Sequence, residues 1–167
     1  VEVVGWAPRI KVPAVILSER QSRGVQLVGI DPTREHISFF SELAFAGDTL
    51  ADIDDGRIVI GAELARQLQT AVGRKLVVLS QGADGKNRER GFRIAGTFDA
   101  DGTSLEKAFA FTGLTSTQAF LGDRSSDSPR PLVTEVSVLW LTSFDATTPW
   151  RNYAWLFPIK TSLIGGH

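Results

Sequence analysis

The sequence predicts an α+β fold dominated by strands. Three observations predict it: short apolar runs with period-two alternation, brief helical stripes between them, and two linker-like breaks. The breaks fall at Asp31-Pro32 and at Gly122–Pro131, and they enclose a self-contained middle.

The elements follow in chain order. Val1–Leu17 is rich in Val and Ile but holds Pro8 and Pro13, so it reads as an edge strand or as strand pieces. Ser18–Gly24 is a polar turn. Val25–Ile30 is a strand that stops at Asp31-Pro32, because the residue before a proline is driven out of the helical region. Thr33 then caps a helix over Arg34–Leu43, with Ile37, Phe40 and Leu43 or Ala44 on one face. Gly47–Gly56 is a turn region, and Arg57–Ile60 is a short strand. Gly61–Ala71 reads as a helix striped by Leu64, Ala65, Leu68 and Val72, and Gly73 suits its stop. Lys75–Leu79 and Phe92–Phe98 are strands around a polar stretch, Gln81–Gly91, centred on Asp84-Gly85. That is the pattern of a hairpin with a long loop. Ala108–Thr112 is a further strand and Thr115–Leu121 a short helix. Val133–Leu141 alternates, with Val136, Val138 and Trp140 on one side. Phe144–Pro158 gathers Trp150, Tyr153, Trp155 and Phe157 without a period, and reads equally as core, exposed patch or membrane-proximal belt. No internal repeat is visible.

Composition narrows the function. A chain of 167 residues fits one domain or two small subdomains. Hydrophobic residues make up 43% and charged ones 22%, the balance of a globular chain and not of a disordered one. A formal net charge of −1 argues against nucleic acid as partner. No run of about 18 apolar residues offers a membrane span. Val1–Ile16, interrupted by Pro8, Arg9, Lys11 and Pro13, does not read as a leader. The absence of Cys excludes disulfides, thiol catalysis and Cys-based zinc sites. The absence of Met reads as an excised piece or as missing residues, and Gly165-Gly166-His167 as a tag remnant.

Candidate chemistry is sparse. His36 is the sole His before His167 and has no ligand-spaced companion. No Gly-x-Ser-x-Gly elbow is present. The stretch Ala51–Gly56, ADIDDG, resembles half a calcium loop, but Ala62 stands where the closing Glu belongs. Gly85-Lys86 is followed by Asn87, which breaks any phosphate-binding loop. No catalytic, cofactor-binding or metal residue is therefore assigned. The one functional candidate is the Gln81–Gly91 loop with Asp84, Lys86, Arg88 and Arg90, a partner-binding arm on one reading and a solvated hairpin tip on the other.

An ordered set of motifs then carries a resemblance. GVQLVGIDPTRE, LAFAGDTL, RIVIGAELARQL, AVGRKLVVLS, GFRIAGTFDADG and TSTQAFLG follow one another over about Val25–Leu141. The set resembles the extracytoplasmic domain of ABC-transporter permeases of the lipoprotein-releasing and macrolide-exporter type. The resemblance implies a discontinuous architecture. Residues 1–31 and 131–164 would form a porter subdomain, 32–130 an inserted α+β subdomain, and 165–167 would stand outside both. It implies a domain on the periplasmic side of a bacterial inner membrane that moves mechanically during extrusion of lipoprotein, lipid or amphiphilic cargo. It needs no cofactor. Its implied partners are a cytoplasmic ATPase subunit, reached through membrane helices, a second permease copy or a paralogue, and a periplasmic carrier or adaptor at Gln81–Gly91. One departure stands out: the family continues with Asp-x-x-x-Ala and a helix, whereas Asp145-Ala146 is followed almost at once by Trp150–Pro158. This reads as residues missing between Asp145 and Trp155. Two rivals stay open. One is a free-standing periplasmic adaptor or ligand-binding module. The other is a small hydrolase or isomerase, for which the sequence offers no convergent carboxylate set.

Overall fold

A computed structural model describes residues 2–35, 39–82, 84–122, 133–141 and 157–159. Its strands are β1 (Glu2–Leu17), β2 (Ser22–Ile30), β3 (Ala44–Gly47), β4 (Ile58–Gly61), β5 (Lys75–Gln81), β6 (Asn87–Asp99), β7 (Phe109–Gly113), β8 (Glu135–Leu141) and β9 (Phe157–Ile159). Among the described residues the α-helices are α1 (Ala62–Gln67), α2 (Ser104–Ala108) and α3 (Leu114–Leu121).

The strands pair in the order β2-β7-β4-β6-β5-β1, and β1 also pairs with β2, so six strands close into a ring. The pairings are antiparallel except β2 with β7 and β4 with β6. The second half of β1 belongs to the ring, with Ala14–Leu17 against β5 and Arg9–Leu17 against β2. Its first half, Glu2–Arg9, pairs with β8, and β8 in turn pairs with β9.

Alternation decides what each strand buries. Ile10, Ala14 and Ile16 of β1 point into the ring with Val25, Leu27, Ile58, Ile60, Leu76, Val78, Phe92, Ile94 and Ala110. β4 and β7 run antiparallel, so the helices that follow them leave at opposite ends. Leu64, Ala65 and Leu68 close one end, and Leu114, Phe120 and Leu121 the other. The Phe120 ring meets Phe92 edge-on at 5.8 Å. A second core lies on the outer face, where Val28, Ile30, Val59, Ala95, Phe98 and Phe111 are covered by Phe40 and Leu50. The central β4 is therefore buried on both faces, which is why Ile58-Val59-Ile60 is an unbroken apolar run.

Several expectations need correction. β1 is one continuous strand with neighbours on both edges, and neither proline breaks it. The Thr134 and Ser80 hydrogen bonds to Arg9 O and Pro13 O show that odd-numbered residues direct their backbone toward β8 and β5. Pro13 lacks its N–H where neither strand reaches, and Pro8 lacks it one residue past the end of β2. The helix expected over Arg34–Leu43 gives way to a 3-10 turn at Phe39–Glu42 followed by β3; residues 36–38, including His36, lie outside the described residues. Thr33 also folds back on the residue before the proline. Its N–H and hydroxyl both donate to Asp31 Oδ1, at 3.1 and 2.6 Å, in a turn that Asp31 organises. α1 stops at Gln67, and Gln69 then takes a positive φ of 52°. The expected linker at 123–131 and the 144–156 stretch lie outside the described residues.

A repeated unit that the sequence hid also appears. β4 ends on Gly61 and leads into α1; β7 ends on Gly113 and leads into α3. Both glycines are extended, with φ/ψ of −62°/146° and −63°/142°. Neither offers a capping side chain, so each helix takes its cap from the segment before the other unit, α2 in one case and a loop in the other. Glu106 Oε1 accepts the Glu63 N–H at 2.9 Å, and Ile53 O accepts the Thr115 N–H at 3.0 Å.

Candidate functional site at the β5–β6 hairpin

The β5–β6 hairpin holds the four residues singled out by sequence. The expected Gln81–Gly91 arm is shorter than predicted. Register pairs run from Lys75↔Arg93 to Gln81↔Asn87, so only Gly82–Lys86 lies outside the strands. The turn is tied by Gly82 N–H to Lys86 O at 2.8 Å and Gly85 N–H to Gly82 O at 2.9 Å, with Gly85 at φ +77°.

The four residues divide by role. Asp84 Oδ1 accepts the Lys86 N–H at 3.0 Å, and Oδ2 accepts Arg88 Nη2 at 2.7 Å. The Lys86 backbone donor, with the Arg88 and Lys86 charges behind it, holds the Asp84 carboxyl below its usual range. Lys86 is exposed. Arg88 packs near Gly82 and Gly122, and its Nε, buried, has no hydrogen-bond partner among the described residues. Arg90 turns away from the tip. Its Nη1 donates to Ser116 O at 3.2 Å and Ser116 Oγ at 3.1 Å, and its guanidinium lies 5.0 Å from the Phe92 ring centre. It braces α3.

A surface groove of about 590 Å³ runs beside the hairpin, lined by Pro13, Ala14, Val15, Leu79, Ser80, Asn87, Arg88 and Glu89. Its lining combines apolar side chains, with Val15 41% exposed, and the charged Arg88 and Glu89. This surface can hold an extended or amphiphilic segment. Substitution should separate the roles. Arg90→Met is expected to lower stability by about 1–2 kcal/mol, through the lost Ser116 bonds, whereas Lys86→Ala should change it by less than about 0.5 kcal/mol. Urea midpoints check both, and equal effects would contradict this division.

Other acidic stretches serve the fold. In ADIDDG, Asp52 Oδ1 accepts the Asp54 N–H, while Asp55 accepts the Ala51 N–H and two bonds from the Arg57 side chain. Burial pushes the Asp55 carboxyl up, but Arg57 and the two backbone donors outweigh it and bring it below the ordinary value. Among the described residues no three His, Cys, Asp or Glu side chains gather as a metal site.

Two polar features escaped sequence reasoning. Glu106, 3% exposed, accepts the N–H groups of Glu63, Ala100 and Gly102. The Thr103-x-x-Glu106 spacing is the capping-box signal that marks it. Arg9 and Glu35, 8% and 1% exposed, form a buried bidentate pair, for which a lone Arg in an apolar strand is the only trace.

A family model, MacB-like periplasmic core domain, matches residues 1–147. Among solved structures, the extracellular domain of the noncanonic ABC-type transporter YknZ from Gram-positive bacteria aligns with TM-score 0.58 and 14% identity, over 81% of this chain and 64% of that one. A domain of a permease protein from Porphyromonas gingivalis aligns with TM-score 0.48 and 18% identity, over 75% of this chain and 52% of that one. No curated protein matches. With the family model spanning nearly the whole described chain, the protein belongs to the MacB-like periplasmic core domains, and its fold is that of an ABC-type transporter's extracellular domain.

Proposed function

We propose that this chain is the extracytoplasmic domain of an ABC transporter permease, and that it transmits motion during extrusion or transfer of a lipoprotein, lipid or other amphiphilic cargo. In this reading ATP hydrolysis belongs to a separate cytoplasmic subunit, a second permease copy or paralogue faces this one, and the domain lies on the outer side of the inner membrane. The domain performs no chemistry itself. A carrier or adaptor would meet it at the β5–β6 hairpin, where Lys86 and the groove stand together.

The observation that carries the reading is the ladder between Glu2–Arg9 and Glu135–Leu141. Segments far apart in sequence meet on β1, and β1 continues into the ring. A displacement imposed on either segment therefore reaches the ring through a packed strand, which transmits strain and does not absorb it. The proposed division into residues 1–31 with 131–164 and an inserted 32–130 draws on this pairing for residues 2–9 and 135–141, while the rest of β1 and β2 share the ring with the inserted segment.

No helix among the described residues is long and apolar enough to cross a membrane. The reading therefore requires apolar segments of about 20 residues elsewhere in the gene. The test uses the complete permease expressed with its ATPase. Excising this domain should leave ATP hydrolysis measurable and abolish export of an amphiphilic dye. Unchanged export, or a gene without flanking apolar spans, overturns it.

A further inference from the structure

β1 changes partners in mid-strand. Up to Arg9 its outer edge pairs with β8, and from Ala14 that edge pairs with β5. Between them, at Ile10–Pro13, no strand among the described residues lies on that edge. Side-chain hydroxyls bridge the interval instead. Thr134 Oγ1 accepts the Lys11 N–H at 2.7 Å, and Ser80 Oγ donates to Pro13 O at 2.9 Å. Pro13 has no N–H to offer there, so the interval loses no donor by lacking a strand.

Among the described residues, a largely buried ionic cluster at the near end of this interval is centred on Arg9. Its Nε and Nη2 donate to Glu35 at 2.9 and 2.6 Å, and its Nη1 lies 3.6 Å from Glu135 Oε1. The three residues come from three places: the start of the interval, the turn after β2, and the first residue of β8. Arg9 is also the residue where β1 is paired on both sides, opposite Ile30 and opposite Glu135. A buried charged pair is a poor source of net stability but a strong specifier of one arrangement, because a slipped register leaves a charge without its counterpart. β8 pairs only with β1 and β9 among the described strands, so it joins the ring through β1 and this cluster.

We propose that the Arg9–Glu35–Glu135 cluster is a latch that holds β8 and the first half of β1 in one arrangement against the ring, which β1 enters at Ile10–Pro13 through its unbroken ladder with β2. Releasing it frees β8 while the ring stays closed. This stands apart from the transport reading, since it concerns the chain's own mechanics.

Amide hydrogen exchange on the 167-residue chain tests it. Glu35→Gln keeps the shape and removes the charge. It should speed exchange at Glu2–Arg9 and Glu135–Leu141 by about tenfold or more while leaving Leu76–Val78 and Phe92–Phe98 unchanged. Exchange that rises equally throughout would make the cluster a general stabiliser, and exchange that rises nowhere would make it inert; either overturns the latch. Should Glu35→Gln fail to fold, Glu135→Gln removes the more exposed partner. It should produce a smaller rise, about threefold, confined to the same two segments, and a uniform or absent rise overturns the proposal in the same way.

Discussion

Gly61→Ala is expected to abolish cooperative folding. Gly61 has an ordinary extended conformation, so an alanine there costs nothing in backbone preference. The penalty is steric. A Cβ would overlap the Glu106 carbonyl oxygen and stand 2.7 Å from the Glu106 Cα. These are backbone atoms of α2, held by the Glu106 carboxylate in the cap of α1, and they cannot rotate aside. We expect a loss of ~3 kcal/mol or more, enough to shift much of a marginally stable domain to the unfolded state. Gly73→Ala is the control. Gly73 has φ +87°, but a methyl group at that position would meet nothing within 4 Å, so only the left-handed strain of roughly 1–2 kcal/mol applies. Urea unfolding measures both, and a Gly61→Ala variant within about 0.5 kcal/mol of the parent would refute the close approach.

Glu106→Ala should be nearly as damaging, and its cost should depend on pH. The substitution removes the acceptor of three part-buried N–H bonds, those of Glu63, Ala100 and Gly102, with an expected loss of about 2–3 kcal/mol near neutrality. Burial by itself raises the Glu106 carboxyl, but the three donors and Arg66 outweigh it and bring its pKa below the ordinary glutamate value. A carboxyl lowered in the folded state contributes stability that is complete above its unfolded pKa. That contribution is lost as pH falls through the folded pKa. The gap between parent and variant should therefore be widest above about pH 5 and close as the solution is made more acid. Urea midpoints at neutral and acid pH test this, and a gap of equal size at both would contradict it.

Much of the ring was legible because alternation and turn residues mark it. Val25–Ile30, Lys75–Leu79 and Phe92–Phe98 all contain ring strand, and Val133–Leu141 contains β8 beside it; Gly73 carries a positive φ, but α1 has already ended at Gln67. The failures share a cause: tertiary context supplied what local sequence lacked. Pro8 and Pro13 resemble breaks because sequence does not say which edge of β1 is bare. Ser104–Ala108 is too short for a helical stripe to register, and its Glu106 points to a helix in a distant unit. Arg34–Leu43 has helical spacing, but Phe40 is drawn onto Phe111 and Phe45, with ring centres 5.0 and 5.2 Å away, and a tight turn suffices. At the candidate site, composition identifies the hairpin but not its orientation. Arg88 and Arg90 are alike in sequence, yet one sits at the tip with Asp84 and the other braces Ser116.

Ring closure also has a kinetic consequence. The pairs that seal it are non-local: Leu17 meets Val77, and Gln26 meets Phe109. During synthesis no complete circuit exists until Gly113 has emerged, so the earlier strands must wait with their edges open. Such a topology places refolding on the order of milliseconds to seconds, slower than a helical chain of equal length. It also makes the nascent, unsealed stage the moment at which neighbouring chains can add a wrong strand.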